Sequence, residues 1–131
     1  MKKLSIVIIA LLLTLPMLAQ ESAVITFEKR SHDFGKINEE GGLASYTFTF
    51  KNTGDQALVL NRVQASCGCT ATSWSREPVL PGQSSSITVN YNPMHRPGTF
   101  MKSIAVYSNG SKQPIMLSIK GDVTPKPAVI Q

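Results

Sequence analysis

Residues 44–51 read Ala-Ser-Tyr-Thr-Phe-Thr-Phe-Lys, and within them Tyr46, Phe48 and Phe50 alternate with Thr47, Thr49 and Lys51. A period of two puts aromatic rings on one face and hydroxyls on the other, as in a strand with one side on a core and one in water. The alternation recurs in Ile87, Val89 and Tyr91 against Ser86, Thr88 and Asn90, and in Ile115, Leu117 and Ile119 against Met116, Ser118 and Lys120. Less regular apolar stretches at 24–37, 57–65, 70–74 and 99–108 bring the count to about seven strands, and no stretch sustains a helical period.

Turn chemistry separates these stretches. Glu40-Gly41-Gly42, Asn52-Thr53-Gly54-Asp55, Leu80-Pro81-Gly82-Gln83, Arg96-Pro97-Gly98 and Ser108-Asn109-Gly110-Ser111 each supply residues that preset or tolerate turn dihedrals. Asn109-Gly110-Ser111 also matches a glycosylation acceptor, but Asn-Gly between two strands reads first as a hairpin turn. One-sided strands need a second sheet to cover their apolar faces. The expected fold is therefore all-β, an immunoglobulin-like β-sandwich of about seven antiparallel strands.

At the N-terminus, Lys2 and Lys3 precede an apolar run at 4–15, which ends in Pro16-Met17-Leu18-Ala19. The run is shorter than the ~20 residues that span a bilayer, so residues 1–19 read as a signal peptide cleaved after Ala19, although Met17 departs from the small-x-small pattern. The domain then occupies 20–123, and 124–131, with two prolines and no periodicity, reads as a C-terminal tail. The expected product is exported and soluble, periplasmic or extracellular, with no membrane segment after signal removal, in a compartment where disulfides persist. The chain carries 13 Lys and Arg against 8 Asp and Glu, a net charge of +5. Two of the lysines belong to the signal, and beyond it Lys29-Arg30 is the one adjacent basic pair. Such scattered charge argues against nucleic acid as a partner.

The chemistry-bearing feature is Ser66-Cys67-Gly68-Cys69-Thr70, which holds both thiols of the chain. In an extended strand residues i and i+2 have Cα atoms about 6.8 Å apart, the edge of disulfide reach, so a bridge requires a turn at Gly68 and closes a small, easily reduced ring. Three readings are open. The pair is a local disulfide or two packed thiols pinning a strand end; or a soft-metal site for Cu(I) or Zn, with Cys67 and Cys69 completed by Met94, His95 or His32; or a thiol–disulfide redox module, although the spacing is not the C-x-x-C that opens a helix. Alternating strands bring the ends of the first, third and fifth to one pole, where His32 and the Met94-His95 loop would approach the cysteines. His32 beside Asp33 also reads as a hydrogen-bonded structural pair, and His95 as a solvated loop side chain.

Catalysis has little support: G-x-S-x-G, H-E-x-x-H and P-loop patterns are absent from the sequence. Glu39-Glu40, beside turn glycines, reads as a solvated charged loop. A nucleophile triad of a cysteine with His32 and Asp33 lacks a free thiol if the cysteines pair. Trp74 reads as a core residue. The chain is expected not to be an enzyme.

The set His32-Asp33-Phe34-Gly35-Lys36-Ile37, the strand from Tyr46 into Asn52-Thr53-Gly54, Ser66-Cys67-Gly68-Cys69-Thr70, Pro81-Gly82, Pro97-Gly98 and Ile119-Lys120-Gly121 closely resembles the bacterial domain-of-unknown-function family number fifteen seventy-three. The resemblance covers about residues 24–123; the Met94-His95 pair is not part of it. It implies an immunoglobulin-like domain related to Hydin and major sperm protein modules, common in exported proteins of Bacteroidetes and related bacteria, with no biochemical activity or cofactor to carry over. Relatives in that wider group are mostly scaffolding and protein-binding modules. The resemblance therefore implies a non-enzymatic partner for another protein or cell-envelope component, recognised through a sheet edge or polar loops.

Overall fold

The computed structural model describes residues 21–128, so the export segment read at 1–19 and the last residues of the tail lie outside the described residues. Eight strands follow in order: β1 (Ile25–Phe27), β2 (Ser31–Asn38), β3 (Ala44–Asn52), β4 (Leu60–Ala65), β5 (Thr70–Trp74), β6 (Ser84–Tyr91), β7 (Gly98–Ser108) and β8 (Ile115–Thr124). They form two four-stranded sheets, ordered β1-β3-β6-β5 and β2-β8-β7-β4. No helix of the described residues is long and apolar enough to cross a membrane.

The inward phases of the alternating strands fill the space between the sheets. Phe48, Phe50, Ile87, Val89 and Tyr91 from the first sheet and Ile104, Val106, Leu117, Ile119 and Val123 from the second are almost wholly buried. Each such side chain removed from water contributes about 1.5–3 kcal/mol, which is what holds two otherwise independent sheets together.

The stretch at 24–37 is two strands rather than one. β1 pairs antiparallel with β3 in the first sheet, whereas β2 pairs with β8 in the second. The change of sheet falls in Glu28-Lys29-Arg30. The Glu28 amide still donates to the Thr49 carbonyl at 3.1 Å, and the Arg30 carbonyl already accepts from Ser118 at 2.8 Å. Three consecutive charged residues have no apolar phase to keep the segment in one layer. The β2–β8 pairing is parallel, so the antiparallel expectation fails at this pair. Parallel neighbours need a long connection, and here the connection is nearly the whole domain.

β2 also carries a bulge between Asp33 and Lys36. Gly35 has φ +67°, and its amide donates to Asp33 Oδ1 at 2.8 Å. One extra residue reverses the phase of the strand. His32, Phe34 and then Ile37 turn toward the core, while Lys36, which strict alternation would bury, stays exposed. The Asp33 carboxylate is thus bound to the Gly35 amide, not to His32, because adjacent strand residues face opposite ways.

Three further polar residues are tied into the fold, and the first departs from expectation. Glu39 is buried rather than solvated, its amide donating to Thr124 at 3.0 Å, and Glu40 lies 3.8 Å from the Lys126 ammonium. Asn109 donates from Nδ2 to the Ala57 carbonyl at 3.0 Å and accepts from the Val59 amide at 2.8 Å, which commits its side-chain amide to the fold. Asn52 ends β3 with no exposed surface. Its Nδ2 donates to the carbonyls of Gln56 at 2.7 Å and Val79 at 2.8 Å, and its Oδ1 accepts from the amides of Gly54 at 3.0 Å and Val24 at 3.4 Å. Leu58 and Val79 then form an isolated antiparallel bridge, and β4 starts only at Leu60.

Candidate functional site

The Cys67–Gly68–Cys69 segment is the crossover from β4 in one sheet to β5 in the other. Ser66 anchors its entrance on β7: the Ser66 amide donates to the Ser103 carbonyl at 2.9 Å, and Ser66 Oγ accepts from the Ser103 amide at 3.1 Å. At the exit the Cys69 carbonyl accepts from the Asn92 amide at 2.9 Å, and Thr70 is in register with Tyr91. The turn at Gly68 brings the cysteine Cα atoms to 5.3 Å, and the two sulfurs are bonded to each other. Cys69 is 7% exposed and belongs to the core, whereas Cys67 is half-buried against it. The Cys69 amide donates to Cys67 Sγ at 3.3 Å, and Thr70 Oγ1 lies 3.7 Å from each sulfur.

Beneath this crossover the core is aromatic. Tyr91 stacks on Phe100 with centroids 3.9 Å apart, and Phe100 is the register partner of Gly121, where a Cβ would come within 2.7 Å of the ring. Burial raises the Tyr91 phenol above its ordinary pKa, opposed by the positive charge of Arg96. Phe34 lies 6.4 Å from Phe100 and meets His32 edge-on at 4.7 Å; His32 in turn stacks flat on Tyr46 at 3.8 Å.

Of the residues read as metal candidates, Cys67 and Cys69 are therefore joined to each other. Met94 and His95 share their pole, since the turn that carries them is tied to Cys69 through Asn92. Within the turn Met94 donates to Asn92 Oδ1 at 3.1 Å and Arg96 to the Pro93 carbonyl at 3.1 Å. Both Met94 and His95 are exposed, and His95 adopts φ +61°. His32 is held in the aromatic stack. Among the described residues no group of three or more His, Cys, Asp and Glu side chains is placed to hold a metal ion. A bonded sulfur pair offers no thiolate, so metal binding there would require reduction first. Trp74 is half-buried against the core with the Arg76 guanidinium 5.1 Å from its ring.

A second surface is the outer face of the β2-β8-β7-β4 sheet. Registered rows cross it: Lys36, Asp122 and Thr99; then Asp33, Lys120 and Met101; then Ser31, Ser118 and Ser103; then Met116, Ala105 and Gln64. Met101 is 70% exposed and Met116 51%, on either side of the serine row. Two shallow hollows indent the face. One of about 530 Å³ adjoins Met101 at the β2 bulge, and one of about 250 Å³ is lined by Ala105, Tyr107 and Met116, with the Arg62 guanidinium 4.2 Å above the Tyr107 ring. The only sign of this face in the sequence is Met116 standing in the polar phase of its strand.

No curated relative is matched by the sequence. Among solved structures, a protein of unknown function from Porphyromonas gingivalis W83 is similar with a TM-score of 0.68 at 16% identity, over 83% of this chain and 51% of that one. The VesB protease of Vibrio cholerae is similar with a TM-score of 0.59 at 16% identity, over 75% of this chain and 31% of its own. A family 123 glycoside hydrolase from Clostridium perfringens is similar with a TM-score of 0.56 at 12% identity, over 82% of this chain and 28% of its own. At these identities the likeness is one of fold, and the chain spans about half of the first protein and less than a third of the others. The sequence motifs from the β2 bulge through the cysteine crossover to Gly121 all fall within residues 25–123, which match the family described as protein of unknown function (DUF1573), and the chain belongs to that family.

Proposed function

We propose that the chain works outside the cytoplasm as a β-sandwich module that binds another protein or cell-envelope component through the outer face of the β2-β8-β7-β4 sheet. The observation that carries this reading is the exposure of Met101 and Met116 on one sheet face. Methionine is pliable and adapts to irregular partner surfaces, and desolvating two such side chains contributes about 1.5–3 kcal/mol each. Lys36, Lys120, Asp33 and Asp122 supply a charged rim for orientation. Support also comes from the solved structures, in which a unit of this fold fits a fraction of longer proteins, one of them the VesB protease of Vibrio cholerae.

The test is photo-crosslinking in the native envelope from benzoylphenylalanine at position 101, with position 47 on the outer face of the other sheet as control. A discrete adduct from 101, absent from 47 and lost on adding Met116→Glu, supports the reading, and its mass separates a protein partner from a glycan or lipid. Equal labelling from both positions, or none from 101, refutes it. The soft-metal alternative rests on the bond from Asn92 to the Cys69 carbonyl, which keeps the Met94-His95 turn beside the cysteines. It requires the reduced protein to take up one equivalent of Cu(I) or Zn, with weaker retention after Met94→Ala.

A further inference from the structure

We propose that Cys67 and Cys69 form a thiol–disulfide exchange site whose substrate is a dithiol peptide or an unfolded exported protein chain. The disulfide has little to do as a staple. It closes a loop with a single residue between the cysteines, so it removes little freedom from the unfolded chain. The strand ends on either side are already held by the Ser66–Ser103 pair, the Asn92–Cys69 bond and the Thr70–Tyr91 register.

What the crossover does provide is asymmetry. Cys67 is half-buried and the more exposed of the two, whereas Cys69 sits in the core. The Cys69 amide faces Cys67 Sγ at 3.3 Å, and the Thr70 hydroxyl lies 3.7 Å from Cys67 Sγ and equally from Cys69 Sγ, so the amide is what distinguishes the two sulfurs. Amide and hydroxyl are both donors that strengthen when Cys67 Sγ carries a charge. Because the backbone on both sides is fixed, the two sulfurs stay close after reduction, and closure of the pair remains an intramolecular step.

The chemistry is one reversible exchange. A substrate thiolate attacks Cys67 Sγ; the sulfur–sulfur bond breaks, and its electron pair leaves on Cys69 Sγ, which takes a proton. The second substrate thiolate then attacks the substrate sulfur of the mixed disulfide. Cys67 is released as a thiolate held by the Cys69 amide and the Thr70 hydroxyl. The substrate gives up two electrons and two protons in becoming a disulfide; the cysteine pair gains the two electrons and, on Cys69, one proton, and the other proton goes to water. Run backward, the same site reduces a substrate disulfide.

The experiment uses the chain without its export segment, with glutathione disulfide and glutathione as probes. Cys69→Ser is expected to form a mixed disulfide with glutathione at Cys67 at least tenfold faster than Cys67→Ser forms one at Cys69, at equal folded content. Thr70→Val should move the pH midpoint of Cys67 alkylation upward in the Cys69→Ser background, which a purely structural threonine would not do. If Cys69→Ser does not fold, the wild-type pair is equilibrated in glutathione buffers and counted by alkylation mass, with exchange expected within minutes. Equal reactivity of the two single-cysteine variants, an unmoved alkylation midpoint, or a wild-type pair that stays oxidised for hours in millimolar glutathione overturns the proposal. These outcomes do not depend on crosslinking from position 101, so this proposal and the binding-face reading can fail separately.

Discussion

Replacing Asn52 by leucine keeps the branching and heavy-atom count of the side chain and deletes its four hydrogen bonds, which tests whether this buried amide is what joins the end of β3 to its surroundings. Three of the bonds, to Gln56, Val79 and Gly54, are 3.0 Å or shorter, and the fourth, from Val24, is 3.4 Å. Counting about 1 kcal/mol for each of the three and nothing for the long one, the variant should lose about 3 kcal/mol, because the Gln56 carbonyl and the Gly54 amide lose their partner and the Val79 carbonyl keeps only the Leu58 amide. Against a typical stability of about 5–15 kcal/mol this is a large fraction, corresponding to a melting temperature lower by about 12–24 °C. Urea unfolding followed by circular dichroism and by Trp74 fluorescence measures it, with the urea dependence unchanged if both states keep their compactness. Asn52→Asp sharpens the test. It preserves the acceptor for Gly54 but faces the Val79 and Gln56 carbonyls with an oxygen that must be protonated to donate. Burial and those carbonyls hold its folded-state pKa above the unfolded value of about 3.9, so its deficit should grow as pH rises from 4 to 8. A loss below about 1 kcal/mol in Asn52→Leu, or a pH-independent deficit in Asn52→Asp, would refute the reasoning.

Two other outcomes follow from local geometry. Gly35 has φ +67° and open space where a Cβ would stand, so Gly35→Ala should cost about 1–2 kcal/mol from backbone conformation alone, and Gly35→Asn less, as read by thermal melting. The Tyr91 phenol is raised by burial. Its contribution to stability is therefore complete below the unfolded pKa of about 10 and is lost as pH rises through the higher folded value, and Tyr91→Phe should flatten that alkaline loss in urea titrations at pH 9 to 11.

Much of the strand content was legible because the strands are half-buried. β3, β6 and β8 alternate without interruption, and β5 coincides with the stretch expected at 70–74. Where local pattern and tertiary placement part, the reason can be named. The sheet change at Glu28-Lys29-Arg30 leaves an apolar pattern on either side of it, and pattern alone does not say that the two sides belong to different layers. Asn52 lies in Asn52-Thr53-Gly54-Asp55, which has turn composition. That composition accounts for the turn and is silent about Val24 and Val79, distant in sequence, whose backbone groups the side chain satisfies. His32 beside Asp33 suggested a pair because the two are adjacent in sequence. In a strand adjacency separates side chains, and the imidazole went to Tyr46 instead.

The sequence by itself determined that this is an all-β chain of one-sided strands, where its turns fall, and that its two thiols lie two residues apart with a glycine between them, because period-two hydrophobicity, glycine and proline chemistry and C-x-C spacing are local properties. Only the tertiary structure decided which strands became neighbours, that β2 and β8 run parallel, that Cys67 is half-buried while Cys69 joins the core, and that Met101 and Met116 stand on one exposed face. Those outcomes depend on how apolar faces distant in the chain cover one another, and a strand's pattern records only that it has a face to cover.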